Sequence, residues 1–519
     1  MNQKLSKTWS QYEAGLEYKR RIGLYETVRR NERYYRGDQW AGTGEDLPRP
    51  VFNIVRRIAD YLICAVASGR VSISYSDENL PFIRSSYEAK IVSDSIQAMS
   101  RNAAYRWERC KMDNLIFKLL GDAAISGDGV MYCYWDSSIE SGQMWNGDIV
   151  TSIIDNTNVF PADVNIANIQ SQEYIILSGR ASVNSLKREA EAHGASPEDI
   201  KKIYPDKEYS IGAGDLAAFE LEGLDKNENK ATYLIKFWRE DGYVCFEKST
   251  RECVIHRAKT ACKLYPVAYF NWYPTKNSFH GTAPISGIIP NQNFINRAYA
   301  MLMKHMTDSA FSKVIYDKTR IPEWSNRVGE AIGAVGGGNM SDAVSVVGTG
   351  RLQDGYMEAI EQATAMTKEL CGATDSALGN VVPTNTSAIL ALQESSRLTL
   401  EQVRSAFNRC IEELANIWAD MMCAYYPKER LLPYSSADGV ALAEVDFPRL
   451  AKALIKANVE SGSISNYSDS STQSILDKLL DGGHITTTQY LKHIPNGTFG
   501  NRHVLIEELS KSKGDNENE

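Results

Sequence analysis

Apolar and aromatic residues fall at helical spacing at Trp9, Tyr12, Leu16, Ile22, Tyr25 and Val28, which predicts a helix over Leu5–Tyr35. "YYRGDQW" stops it at Gly37. A second helix is expected after Asn53, a favourable N-cap, ending before Gly69. "VSISYS" alternates like a strand. A longer helical region covers Phe82–Ala124 and passes through the glycines of "ISGDGVMYCYWD" into a strand. From Asp148 to Tyr273 the period shortens to two, so "DIVTSIID", "EYIILSGR", "TYLIKFWRE", "YVCFEKS" and "PVAYFNWYP" read as strands. One helix interrupts them, "SVNSLKREAEAHG", capped by Ser182 and stopped by Gly194. This half is α+β with an antiparallel character.

The second half is mostly helical. Asn291–Ser309 carries Phe294, Ala298, Met301, Leu302 and His305 on one stripe. Residues Ser312–Gly350 are mixed and contain the glycine-rich "GAVGGGNMS", and Gln353–Leu370 is helical again. The pattern then predicts one long helix over Ser387–Tyr426. Within it Val403, Phe407, Cys410, Leu414, Ile417 and Met421 form a heptad seam. Forty residues of helix would span roughly 60 Å, which suggests an elongated scaffold. Such a seam, with the narrow stripes of the preceding helices, leaves apolar surface that an elongated monomer could not bury, so a closed ring is expected. Before that helix lies "CGATDSALGNVVPTNTS", a long polar connection with Asp375 as its only charge. Gly372 and Gly379 allow it to change shape, and Pro383 limits that freedom near Thr386 and Ser387, either of which can cap the next helix. A short helical hairpin follows near the C-terminus, "SILDKLLDGG" and "TTTQYLKHIP", with a Thr486/Gln489 capping box; the polar "KSKGDNENE" is expected to be disordered.

A length of 519 residues exceeds what one core usually serves, and 43% hydrophobic content is ordinary for folded protein. The net charge of −8 is no signature of a nucleic-acid-binding surface. One stretch departs from it: Lys19–Arg36 holds seven Lys/Arg against two Glu, interleaved with tyrosines. That is either a solvated helix face or a contact with nucleic acid or an acidic neighbour. Nine cysteines without a CxxC pair favour buried, reduced thiols in a cytosolic protein. The most apolar run, Ile58–Ala67, is too short for a membrane span and contains Asp60. GxxxxGK[ST], HExxH and GxSxG do not occur, and "GAVGGGNMS" lacks the lysine of a phosphate loop. The seven histidines are scattered and the carboxylates form no tight cluster on a predicted face. No catalytic residue, cofactor or metal is therefore expected.

The order of segments nonetheless resembles the portal (head-to-tail connector) proteins of tailed bacteriophages. "YYRGDQW" with "PVFNIVRRIADYLICAVASGR" is similar to the portal N-terminal region, and "AAISGDGVMYCYWD" to its helix-to-strand step. "DNTNVFPADVNIANIQSQEYIILSGRASVNSLKREA" resembles the wing segment. "HGTAPISGIIPNQNFINRAYAMLMKH" resembles the first stem helix, and "ELCGATDSALGNVVPTNTSAILALQESS" the second stem helix, tunnel loop and start of the long helix. "LLDGGHITTTQYLKHIP" is similar to the crown hairpin.

The resemblance implies an elongated, ring-forming α+β fold. Its parts would be a wing (1–283), a first stem helix (284–311), a clip (312–350), a second stem helix (351–371) and a tunnel loop (372–387). A long helix with a wing return (388–460), a crown (461–505) and a tail (506–519) would follow. It implies a virion protein, assembled in the host cytoplasm as a homo-oligomer, twelve-fold in virions, that passes double-stranded DNA during packaging and ejection. The implied partners are the terminase large subunit, head-completion and adaptor proteins, and the major capsid and scaffolding proteins, with no membrane. Thr374, Asp375, Asn380, Thr384, Asn385 and Thr386 would face the channel, and Gly333, Gly336, Gly337, Gly338 and Asn339 would belong to the partner-binding clip. A near-neutral loop suits sliding, because a wall that neutralised phosphates would hold DNA in a salt-dependent way. The absence of Lys between Cys371 and Ser387 departs from some portals and puts a gripping lysine ring in doubt. The competing readings are a virion connector without a DNA channel, the packaging motor, which the missing Walker sequence disfavours, and a soluble enzyme.

Overall fold

The computed structural model describes residues 7–40, 47–69, 71–78, 85–206, 229–310, 313–325, 332–347, 355–373, 398–436, 439–453, 455–461 and 466–494. In chain order the helices begin with α1 (Lys7–Arg21), α2 (Leu24–Arg36), α3 (Ile54–Ala67), α4 (Ser86–Arg109), α5 (Met112–Ser126), α6 (Val183–Ala192) and α7 (Pro197–Lys201). They continue with α8 (Pro284–Ala310), α9 (Gly355–Leu370), α10 (Glu401–Tyr425), α11 (Phe447–Leu450), α12 (Asn466–Asp481) and α13 (Thr487–His493). The strands begin with β1 (Val71–Asp77), β2 (Asp128–Asp136), β3 (Asp148–Ile154), β4 (Val159–Pro161), β5 (Tyr174–Ser182), β6 (Lys230–Glu240) and β7 (Tyr243–Ser249). They end with β8 (Val254–Lys259), β9 (Val267–Asn271), β10 (Lys313–Tyr316), β11 (Val344–Val347), β12 (Leu432–Ser436), β13 (Gly439–Ala443) and β14 (Ile455–Ser461). The chain divides into two compact units, one of residues 1–32, 58–287 and 372–519, the other of 33–57 and 288–371.

The larger unit is a mixed α+β body of small antiparallel sheets. Its five-stranded sheet has the order β4-β5-β6-β7-β8, and a three-stranded sheet has the order β3-β2-β9. Helix α1 lays Trp9 and Tyr12 against Phe160, Ile176 and Leu234 of the five-stranded sheet. Helix α6 buries Val183, Leu186 and Ala190 against Ala231, Cys253 and Ile255. Ser182 caps α6 by accepting from the Ser185 amide, and Thr486 and Gln489 form the reciprocal capping box of α13. Asp128 is buried beside the turn that leads into α8. It accepts from the Gly281 amide at 2.7 Å and from Asn271 and Asn156 Nδ2 at 2.9 and 3.0 Å, and lies 2.7 Å from His280 Nδ1.

Several expected elements are broken or redirected. The helix expected over Leu5–Tyr35 is two, separated at Gly23, whose φ of +66° suits a residue without Cβ. The region Phe82–Ala124 is also two helices, with left-handed Lys111 between them. The start of the expected long helix lies outside the described residues. Its described part begins only at Glu401, after a turn at Thr399–Leu400, so an uninterrupted Ser387–Tyr426 helix does not form. Its seam does not face outward either. Val403, Phe407, Cys410, Leu414, Ile417 and Met421 are all buried within the chain's own larger unit, so that seam supplies no argument for a ring. Phe407 meets Phe270 of β9 edge-on, Trp418 Nε1 donates to Thr151 Oγ1 of β3, and the Tyr75 hydroxyl donates to the Ala415 carbonyl. Lys19 leaves the basic face predicted for Lys19–Arg36 and turns inward. Its Nζ donates to the carbonyls of Asn156, Thr157 and Val159 at 2.9, 2.9 and 2.6 Å and sits over the Phe160 ring. Burial pulls its pKa down to about 7 against the opposing charges of Asp155 and Asp128, while the three carbonyls use every hydrogen of the ammonium form.

The smaller unit has little core. Helix α8 meets α9 through Ile295, Ala298 and Ile360, with Ile54, Tyr299 and Ala363 at the margin. Strands β10 and β11 pair antiparallel, from Lys313↔Val347 to Tyr316↔Val344.

Candidate functional site

In the smaller unit, the "YYRGDQW" and "NQNFIN" stretches of the sequence meet in a buried polar knot. Gln292 Oε1 accepts from the amides of Ile54 and Val55 at 2.9 and 3.2 Å, and its Nε2 donates to the Phe52 carbonyl and to Asn296 Oδ1. Asn296 Nδ2 donates to Gln39 Oε1 at 2.7 Å, and Gln39 Nε2 donates to Asn53 Oδ1. Asn53 Oδ1 also accepts from the Arg56 amide, the cap that its side chain predicts, and its Nδ2 donates to the Tyr35 carbonyl. Gln292 and Asn296 stand four residues apart and so share one face of α8. A buried network satisfied in this way fixes register, and loss of one member would leave others unpaired.

Several large apolar side chains of α8 and α9 are nonetheless exposed. On α8 the predicted stripe divides: Ala298 is buried, whereas Phe294 and Met301 are 52% and 54% exposed. Met303 and Met306 add to that surface, and Tyr356, Met357, Met366 and Leu370 do the same on α9, Leu370 at 82%. A groove of about 460 Å³ runs between the two helices, lined by Asn291, Phe294, Ala363, Met366, Thr367 and Leu370. Asn291 Nδ2 donates to Thr367 Oγ1 at 3.0 Å at its floor. Large exposed apolar side chains gathered on one small unit mark an association surface rather than chance exposure.

Gly333–Asn339 lie in a turn-rich segment. Gly336 and Gly338 take φ of +101° and +132°, conformations that need glycine. The segment folds back on Arg320, whose carbonyl accepts from the Val335 amide at 2.7 Å and whose guanidinium reaches the Asn339 carbonyl at 3.5 Å. Gly333, Gly337 and Asn339 are exposed with it, as are Val335 and Ile315. Tyr316 stacks on Trp324 at 5.3 Å. Thr374, Asp375, Asn380, Thr384, Asn385 and Thr386 lie outside the described residues.

Sequence reading did not find a cleft of about 520 Å³ in the larger unit, beside α10, lined by Gln170, Lys263, Arg409, Glu412, Glu413, Asp420 and neighbours. Burial pushes Glu413 up to about 7, against hydrogen bonds from Gln170 and the Tyr269 backbone. Nothing in the local spacing of Glu413 announces this, because Gln170 and Tyr269 come from a distant turn and strand. Among the described residues no group of three or more His, Cys, Asp or Glu side chains is placed to hold a metal ion. Nor is any described helix long and apolar enough to cross a membrane.

No curated protein matches the chain. A solved structure titled "Neck of empty GTA particle computed with C6 symmetry" is similar at 10% identity, covering 87% of this chain and 96% of that one, with a TM-score of 0.33. At that score the likeness supports no conclusion about fold or assembly. The model of the Phage P22-like portal protein family matches residues 254–441. That stretch runs from β8 into β13 and includes α8, the β10–β11 hairpin, α9 and α10. Over that stretch the chain is similar to the Phage P22-like portal protein family.

Proposed function

We propose that the protein is the portal of a tailed phage particle, a homo-oligomeric ring that forms the channel for double-stranded DNA during packaging and ejection. The observation that carries the reading is the coincidence of the family match with the exposed apolar faces of α8 and α9. Two helices with so small a common core need further partners, and a heterologous contact that closes on itself buries such faces in every copy. In this reading α8 and α9 are the stem, residues 312–350 the clip that docks the terminase large subunit and then adaptor proteins, and 372–387 the tunnel loop. Residues 1–283 and 388–460 form the wing with its return, and 461–505 the crown. The acidic chain and near-neutral loop suit a wall along which a polyanion slides. The protein acts in the virion, and as a structural component rather than an enzyme. Class-averaged electron micrographs of the purified protein test this. Rings with a central hole wide enough for duplex DNA are expected; a monomer at micromolar concentration, or a closed particle without a hole, overturns it.

A further inference from the structure

The imidazoles of His193 and His256 stack face to face, with ring centroids 3.7 Å apart and planes 5° from parallel. His193 is the exposed C-cap of α6, and His256 is a half-buried residue of β8, the edge strand of the five-stranded sheet. The rings come from positions 63 residues apart, and no sequence motif joins them. Phe246 of β7 closes the other side of His256, edge-on at 4.8 Å. The charged groups around His256 come from two elements. Helix α6 brings Glu189 and His193 itself, and β7 brings Lys248, which stands opposite His256 in the ladder. Lys248 Nζ donates to both carboxylate oxygens of Glu189 at 2.7 Å and lies over the Tyr233 ring of β6.

We propose that His193 and His256 form a two-proton latch: with one proton or none between them the stack holds the last turn of α6 on β8, and a second proton opens it. The His193 ring is exposed at the C-terminus of α6, where the Glu189, Ala190 and Glu191 carbonyls already accept from the His193, Ala195 and Gly194 amides. An imidazolium on a neutral imidazole is attractive in the manner of a cation on a ring face. Charging both rings requires a proton on His256, and the surroundings oppose it. Burial pushes His256 below the ordinary histidine value, the neighbouring His193 charge adds to this, Glu189 opposes it and Lys248 adds a little more. Once both rings are charged they repel at van der Waals distance. The rest of α6 stays in place, because Val183, Leu186 and Ala190 are held by the core beneath it.

Deuterium exchange at the C2 position of each histidine, read by mass spectrometry on the intact protein, reports both midpoints. Two separated midpoints are expected, with His256 the lower. Backbone exchange in peptides covering Glu189–His193 should quicken several-fold, beyond the intrinsic pH effect, as pH falls through the lower midpoint. His256→Phe keeps the ring packing without the charge and should hold that turn closed throughout. His193→Ala removes the like charge and should raise the His256 midpoint. Overlapping midpoints, acid opening that persists in His256→Phe, or an unmoved His256 midpoint in His193→Ala would each overturn the latch.

Discussion

Helix α10 buries Phe407, Leu414, Ile417 and Trp418 almost completely, while α8, of nearly the same length, leaves Phe294, Met301, Met303 and Met306 at the surface. Both helices carry apolar residues at three- and four-residue spacing. They differ in what their own unit supplies. Around α10 stand β2, β3, β9, β14 and α11, a nearly complete set of neighbours. In the smaller unit α8 shares with α9 a cluster of only Ile295, Ala298 and Ile360. An apolar stripe is thus a demand for a partner, and whether the partner is the same chain or another copy depends on how much unclaimed surface the fold brings alongside.

The sharpest way to break the comparison is to truncate the buried side. Leu414 is fully enclosed, so Leu414→Ala should lower folding stability by about 3–4 kcal/mol, through lost transfer energy and a residual cavity. Chemical denaturation checks this, and a loss below about 1 kcal/mol would mean that α10 is not core.

Glu413 sharpens the contrast, since α10 buries even an acidic side chain. Its folded pKa of about 7 exceeds the ordinary 4.5, so the native state binds the proton more tightly than the unfolded chain. Stability from this group is present below about pH 4.5 and is lost as pH rises through about 7. Glu413→Gln escapes that loss. It should be more stable than the parent by on the order of 2 kcal/mol at pH 8 and show no gain at pH 4.5. Thermal melts across that range decide it; a gain of equal size at both ends would remove titration as the cause.

The smallest effect on folding belongs to the exposed side. The double substitution Met301→Ser with Met306→Ser should change folding stability by less than about 0.5 kcal/mol, as surface changes do. The same pair should weaken self-association roughly tenfold, since that surface is the one left to be covered. Analytical ultracentrifugation separates the two readouts. Unchanged association with unchanged stability would leave the α8 stripe without a partner of its own kind.

These cases also divide what sequence can carry. Element type was legible wherever neighbours within four residues set it. Asn53, Ser182 and Thr486 cap the helices their side chains announce, and the period-two stretches pair antiparallel as expected. The resemblance drawn from ordered segments agrees with the family match over residues 254–441. Helix ends were less legible, because Gly23 and Lys111 interrupt patterns whose periodicity continues across them.

What only the tertiary structure decided is which surfaces meet. Strand β1 pairs with β14 from Val71↔Ser461 to Asp77↔Ile455, and neither stretch names the other. Lys19 sits in a run of cations yet ends beneath the surface, because three carbonyls from 156–159 arrive there together. His193 and His256 stack, and Glu413 is driven toward neutrality, by the same kind of convergence. Local sequence determines backbone conformation through hydrogen bonds and side-chain sterics a turn away. Burial, desolvation and charge pairing depend on atoms tens to hundreds of positions distant, so an apolar stripe became core in α10 and partly open surface in α8.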